Sequence, residues 1–283
     1  MAKFSVVTAC RNAAAYIGQT VESVLQQSVF RSGACQLEYL VCDGASTDGT
    51  LERLRQYEKA GVRIVSEPDG GFYAALAKGL QSVSGDYVAY LNAGDFYHPA
   101  GLEIAAQCFA LPGVSWLTGY GVVYNEASQV TQCNLPFRYR RALFACGAYG
   151  SRLPFLQQES TLWRRSLHET VDFAALARMR LAGDSYLWQC FAARAEVYIV
   201  RGQIGGFRVH GGQLSERRAE YLAELASFSR AASLPERVRS AADRAAWWLP
   251  ERLKCALNRS TMILYDHQAQ AWSLADRHRA GYR

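Results

Sequence analysis

Over its first 95 residues the chain repeatedly alternates a short, apolar, β-rich run with a segment of helical period. FSVVTA (4–9) precedes a helix near 14–27 whose apolar face is Ile17, Val21, Val24 and Leu25. LEYLVCDG precedes a helix near 48–60, VRIVSE one near 71–84, and DYVAYLN closes the series. This order specifies an open, mostly parallel sheet flanked by helices, in which ligands bind beyond the carboxyl ends of the strands. Polar residues gather at those ends: Thr8 to Asn12, Asp43 to Asp48, Glu67 to Gly71 and Asn92 to Asp95. A dehydrogenase is excluded, because no G-x-G-x-x-G follows the first strand.

Beyond residue 113 the pattern changes to VSWLTG and YGVVYN, then a loop-rich stretch from about 131 to 160. A strand STLWRR, helices near 169–180 and 184–194, and the strands VYIV and IGGFRVH follow. From 213 to 283 the chain reads as almost wholly helical, with Pro235 and Pro250 as breaks. The 22 uncharged residues between Glu103 and Glu126 would suffice to cross a bilayer, but Pro112, Gly113, Gly119 and Gly121 divide them.

Eight cysteines lie scattered without a C-x-x-C pair, several inside apolar runs, which reads as reduced thiols in a cytoplasmic protein. The N-terminus lacks the apolar core of a signal peptide. The net charge of +6 is unevenly spread: residues 1–150 carry 11 Lys and Arg against 12 Asp and Glu, residues 151–283 carry 20 against 13. This modest excess, with no aromatic RNA-binding strand motif, excludes a nucleic-acid partner. In the C-terminal segment Arg and Lys interleave with Trp247, Trp248, Tyr265 and Trp272. A packed helical lid, a face between copies of the chain (a homo-oligomer), and contact with the inner face of a membrane are the alternatives there.

SVVTACRN, YLVCDGASTDGT, SEPDGGFYAALAKGL, GDYVAYLNAGD, QQESTLW, AGDSYLW and GGFRVH, in this order over residues 4 to about 215, resemble the inverting glycosyltransferases of GT-A family 2, which build bacterial polysaccharides and lipid-linked sugars. The resemblance implies a Rossmann-like GT-A domain over 1–212, with a nucleotide-binding half (about 1–112) and an acceptor half (about 113–212), followed by a helical extension over 213–283. It implies transfer of a sugar from a nucleoside-diphosphate donor, a UDP-sugar in the first instance, to a glycan or lipid-linked saccharide.

Asp43 occupies the place of the carboxylate that binds the nucleotide base, although an aspartate there also suits a turn. Thr8, Cys10 and Asn12 end the first strand beside the nucleoside. Asp69 and Lys78 remain as donor contacts where the family's further polar groups are replaced by Ala74 and Ala77. LNAGD stands at the metal motif, with Asp95 and His210 as ligands of Mn²⁺ or Mg²⁺ and Asn92 as a ribose or outer contact. The resemblance also implies that Gln158 and Glu159 border the acceptor pocket and that Asp184, at the start of a helix where a plain N-cap would equally suit it, is the base, while Arg208 faces either phosphate or solvent. The second reading is a catalytically weak nucleotide-sugar-binding subunit, motivated by the thinned metal motif and the two alanines.

Overall fold

The computed structural model describes residues 1–276. In the first half β1 (Lys3–Cys10), α1 (Ile17–Leu25), α2 (Ser28–Arg31), β2 (Gln36–Asp43), α3 (Thr50–Arg55), β3 (Val62–Ser66), α4 (Phe72–Ser82) and β4 (Tyr87–Tyr90) follow one another. Then come β5 (Phe96–Tyr97), α5 (Gly101–Phe109), β6 (Trp116–Thr118), β7 (Gly121–Tyr124), β8 (Val130–Asn134), α6 (Arg141–Ala145) and β9 (Thr161–Arg164). The last part holds α7 (Phe173–Ala177), α8 (Gly183–Ala192), β10 (Tyr198–Val200), β11 (Gly205–Arg208), α9 (Arg218–Phe228), α10 (Leu234–Ala246), α11 (Glu251–Leu257), β12 (Met262–Asp266) and β13 (Ala271–Leu274).

The main sheet runs β13-β12-β10-β6-β9-β4-β1-β2-β3, with only β9 and β13 antiparallel to their neighbours. β5, β11, β7 and β8 form a second, smaller sheet. Residues on alternate faces of β1 feed different cores: Val7 and Ala9 pack against α4 and α8, whereas Phe4 and Val6 pack against α1 and α5. Burial on both faces explains why these strands read as continuous apolar runs. In register, Cys10 lies beside Asp43 and Asp43 beside Ser66, so the polar ends of β1 to β3 form one rim.

The loop-rich stretch 131–160 also carries β8 and α6. Two expectations are corrected. The C-terminal segment is not wholly helical: β12 pairs with β10 and β13 with β12, so the chain returns to extend the main sheet. Short apolar runs such as MILYD carry no period that separates strand from helix; the exposed β10 edge decides. Pro235 and Pro250 begin helices instead of breaking one, Pro235 in the first turn of α10 and Pro250 as N-cap of α11. Among the described residues no helix is long and apolar enough to cross a membrane.

Candidate active site

Beyond the strand ends lies a cavity of about 1140 Å³ that runs from Cys10, Arg11 and Asn12 past Asn92, Asp95 and Asp184 to Trp247 and Trp248. Asn12 adopts the left-handed region (φ 51°), where Asn is enriched, and its Oδ1 accepts from Thr47 N at 2.9 Å. This clasp fixes the loop after β2 against the end of β1. Asp43 is buried at the same corner, behind Cys10, and its carboxylate accepts from Ser46 N (3.1 Å), the Ser46 hydroxyl and Ser66 Oγ (2.6 Å). It therefore organises the turn in which it stands. Asp48 is spent on Ala14 N (3.0 Å) and Thr50 N (3.1 Å).

Besides Asp43, three residues expected at the donor lie away from the cavity wall. Thr8 is two residues short of the β1 end, and its hydroxyl shares a 3.0 Å hydrogen bond with the Tyr39 hydroxyl in the core. Lys78 is on the outer face of α4, opposite Leu76, Ala77 and Leu80, and pairs with Glu67 at the surface. Asp69 turns back on its own loop and accepts from Gly71 N at 2.8 Å.

The 92–95 turn is held from behind. Asp95 Oδ1 accepts from Arg208 N at 2.8 Å, and the Arg208 guanidinium donates to Gly94 O (2.8 Å), Glu126 O (2.9 Å) and Gln19. That guanidinium lies over the rings of Tyr16 and Phe96, so Arg208 faces neither phosphate nor solvent but is a buried brace. The Asp95 and Glu159 carboxyl groups hydrogen-bond each other. Burial, then Glu159's charge, pushes Asp95 well above the carboxylate range, and burial raises Glu159 as well. Gln158 donates to Tyr90 O and leaves its Oε1 without a partner. His210 stacks on Tyr16 at 4.7 Å, with Nε2 beside the space a Gly94 side chain would enter. At φ +115° that position suits glycine.

Asp184 stands in the first turn of α8, where free N–H groups face it, and accepts from Ser185 N at 2.6 Å. Burial nevertheless pushes its carboxyl up to about 7. Three supports of α8 escaped the sequence reading. Tyr73, from α4, donates to Leu181 O (3.1 Å) and packs so closely that a side chain at Gly183 would meet its ring at 2.4 Å. Tyr221, from α9, meets Ser185 Oγ at 2.6 Å. Glu224 accepts from Arg180 N, Leu181 N and Ala182 N at 2.8, 2.7 and 2.6 Å, capping the turn that delivers Asp184. A Glu two turns into a distant helix carries no sequence signal for this; the partners are backbone groups.

The family model for glycosyl transferase family 2 matches residues 5–130. That match covers the nucleotide-type half of the chain, from β1 to the start of β8. One relative, the putative teichuronic acid biosynthesis glycosyltransferase TuaG of Bacillus subtilis, is 40% identical over 128 residues, 44% of this chain and 49% of its own length. The chondroitin synthase of Pasteurella multocida is 32% identical over 107 residues, 37% of this chain and 11% of its own. The chain thus spans about half or less of these relatives. Among solved structures, S. aureus TarS 1–349 in complex with UDP-GlcNAc superposes with TM-score 0.59 at 18% identity, covering 91% of this chain and 84% of that one. Mannosyltransferase PcManGT from Pyrobaculum calidifontis, in complex with GDP-Man and Mn²⁺, gives 0.59 at 18%, covering 89% and 72%. The fold of this chain is GT-A, as its sequence implied.

Among the described residues no three His, Cys, Asp or Glu side chains cluster as a closed metal cage. A cation that takes most of its ligands from a diphosphate and water needs fewer. Among the described residues the buried Asn92 Oδ1 has no hydrogen-bond partner, while the Asn92 side chain bonds Asp95. This orphaned hard oxygen beside a carboxylate suits such an ion, with His210 Nε2 across the same turn.

Proposed function

We propose that this chain is an inverting glycosyltransferase that moves a sugar from a nucleoside diphosphate, a UDP-sugar first, to a hydroxyl of a glycan or lipid-linked saccharide. The observation that carries the reading is Asp184: a carboxylate with proton affinity raised to about 7 in the wall of the cavity that begins at the nucleotide-type strand ends. The acceptor hydroxyl gives its proton to Asp184 as its oxygen bonds to the anomeric carbon. The bond from that carbon to the diphosphate oxygen breaks on the opposite side, and its electron pair leaves with the nucleotide. The clasp of Asn12 on Thr47 and the turn built by Asp43 shape the nucleoside end. Gln158 and Glu159 border the reacting region, and the cavity beyond Asp184 receives the acceptor.

A divalent ion, Mn²⁺ or Mg²⁺, held by Asp95 with Asn92 and His210, would neutralise charge on the departing diphosphate. The chain's residues supply the rest of the chemistry by position and proton transfer. Incubation with a panel of UDP- and GDP-sugars and saccharide acceptors, with Mn²⁺ or with a chelator, tests the proposal. We expect nucleotide release coupled to a product of inverted anomeric configuration. Nucleotide-sugar binding without release under any condition would favour the binding-subunit reading that Ala74 and Ala77 motivate.

A further inference from the structure

The two helices after α9 are amphipathic in the reverse sense. In α10 the inward face is polar: Glu236, Ser240 and Asp243 are 7%, 3% and 2% exposed. Leu234, Val238, Ala241, Ala245 and Trp248, spaced by four, three, four and three residues, form one exposed stripe. Leu234, Val238 and Trp248 are 74%, 62% and 79% exposed. α11 repeats the inversion: Lys254 is buried, with Nζ donating to Leu135 O at 2.7 Å, while Leu253 and Leu257 face out.

Charge is sorted in the same way. The acidic side chains of these helices are tied to basic partners: Glu236 to Arg230, Asp243 to Arg140 at 2.7 Å and Glu251 to Arg201 at 3.1 Å. The exposed charges of α10 and α11 are Arg237, Arg239, Arg244 and Arg252, with Arg259 just beyond α11. A soluble surface has no reason to turn carboxylates inward and leucines outward; an apolar layer edged by anions does. A second copy of the chain would bring these arginines against their own kind, which disfavours a symmetric dimer through this face.

We propose that the outer face of α10 and α11 docks on an anionic lipid bilayer, with Leu234, Val238, Trp248, Leu253 and Leu257 in the headgroup boundary and the arginines at the phosphates. Trp248 belongs both to the stripe and to the cavity wall, so docking holds the far end of the cavity at the membrane surface. This selects the lipid-linked saccharide as acceptor, a step that rests on the transfer reading; the docking itself does not.

Flotation of the full chain with vesicles of phosphatidylcholine alone or with phosphatidylglycerol tests it, without donor or acceptor. We expect flotation with the anionic vesicles, reduced at least tenfold by Leu234→Asp with Val238→Asp. Arg237→Gln and Arg244→Gln should each weaken it about fivefold. All four side chains are exposed, and an unchanged Tm confirms that the variants fold. Absence of flotation, flotation indifferent to both sets of substitutions, or a dimer in vesicle-free solution that Val238→Asp splits would overturn the proposal. Loss of transfer with flotation intact would count against the activity alone.

Discussion

Replacing Asp184 with Asn should make the protein both inactive and more stable. The carboxyl is pushed up to about 7 from an ordinary 3.8, chiefly by burial, a displacement of about 3 pH units. At 1.36 kcal/mol per unit this is a ceiling of about 4 kcal/mol, and contact with cavity water brings it to about 2. For an acid whose folded value is raised, the folded state holds the proton longer than the unfolded chain does. The cost is therefore absent below about pH 4, grows between 4 and 7 and is complete above 7. Asparagine carries no such charge. We expect its Tm to match the wild type near pH 3.5 and to exceed it by roughly 4 °C at pH 8. Without a base, transfer should fall by about 10² to 10⁴ while nucleotide affinity stays unchanged. The wild type's kcat/KM should rise with pH through about 7. Calorimetry at the two pH values and a coupled nucleotide-release assay measure both effects. A Tm at pH 8 no higher than the wild type's, or turnover near normal, would refute the assignment of Asp184 as a buried, destabilised base.

Glu224→Gln keeps the shape but removes the charge from three backbone N–H bonds; stability should fall by about 1 to 3 kcal/mol, and kcat should drop while the donor KM holds. Ligand titration with chemical denaturation separates the two effects. Asp43→Ala should weaken UDP binding at least tenfold by calorimetric titration, through the loss of the 43–46 turn that Asp43 organises; unchanged affinity would show that this turn does not shape the nucleoside end.

The first half of the fold was legible because a parallel sheet covered on both faces makes strands of unbroken apolar sequence, separated by helices of regular period. The corner formed by Cys10, Asn12 and Asp43 followed from chain order alone. What failed was direction. Lys78 and Thr8 sit on the expected elements, but a neighbouring carboxylate, Glu67, and a core hydroxyl, on Tyr39, claim their side chains. Arg208 was undecidable for the same reason: its acceptors, the carbonyls of Gly94 and Glu126, come together only in three dimensions. Paired carboxyls at Asp95 and Glu159 lie 64 positions apart and leave no trace in spacing.

The C-terminal segment was the least legible part because its signals are inverted: buried acids and exposed leucines make a helix look solvated on the wrong face. It is nonetheless part of the catalytic body. β12 covers the β10 edge, Glu224 and Tyr221 fix the turn before Asp184, and Trp247 packs on Tyr139 in the main core. A chain ended at 212 should therefore not behave as a trimmed catalytic domain. It would uncover Ile199 and Val200, both fully buried in the whole chain, and leave three N–H groups of the α8 turn without acceptors. With about 1 kcal/mol lost for each of these bonds and the apolar surface of β10 uncovered, against a total stability of about 5 to 15 kcal/mol, the shortened chain should unfold cooperatively below the wild-type Tm by well over 10 °C or fail to fold. Near-native melting of residues 1–212 would show instead that the site is complete without the segment.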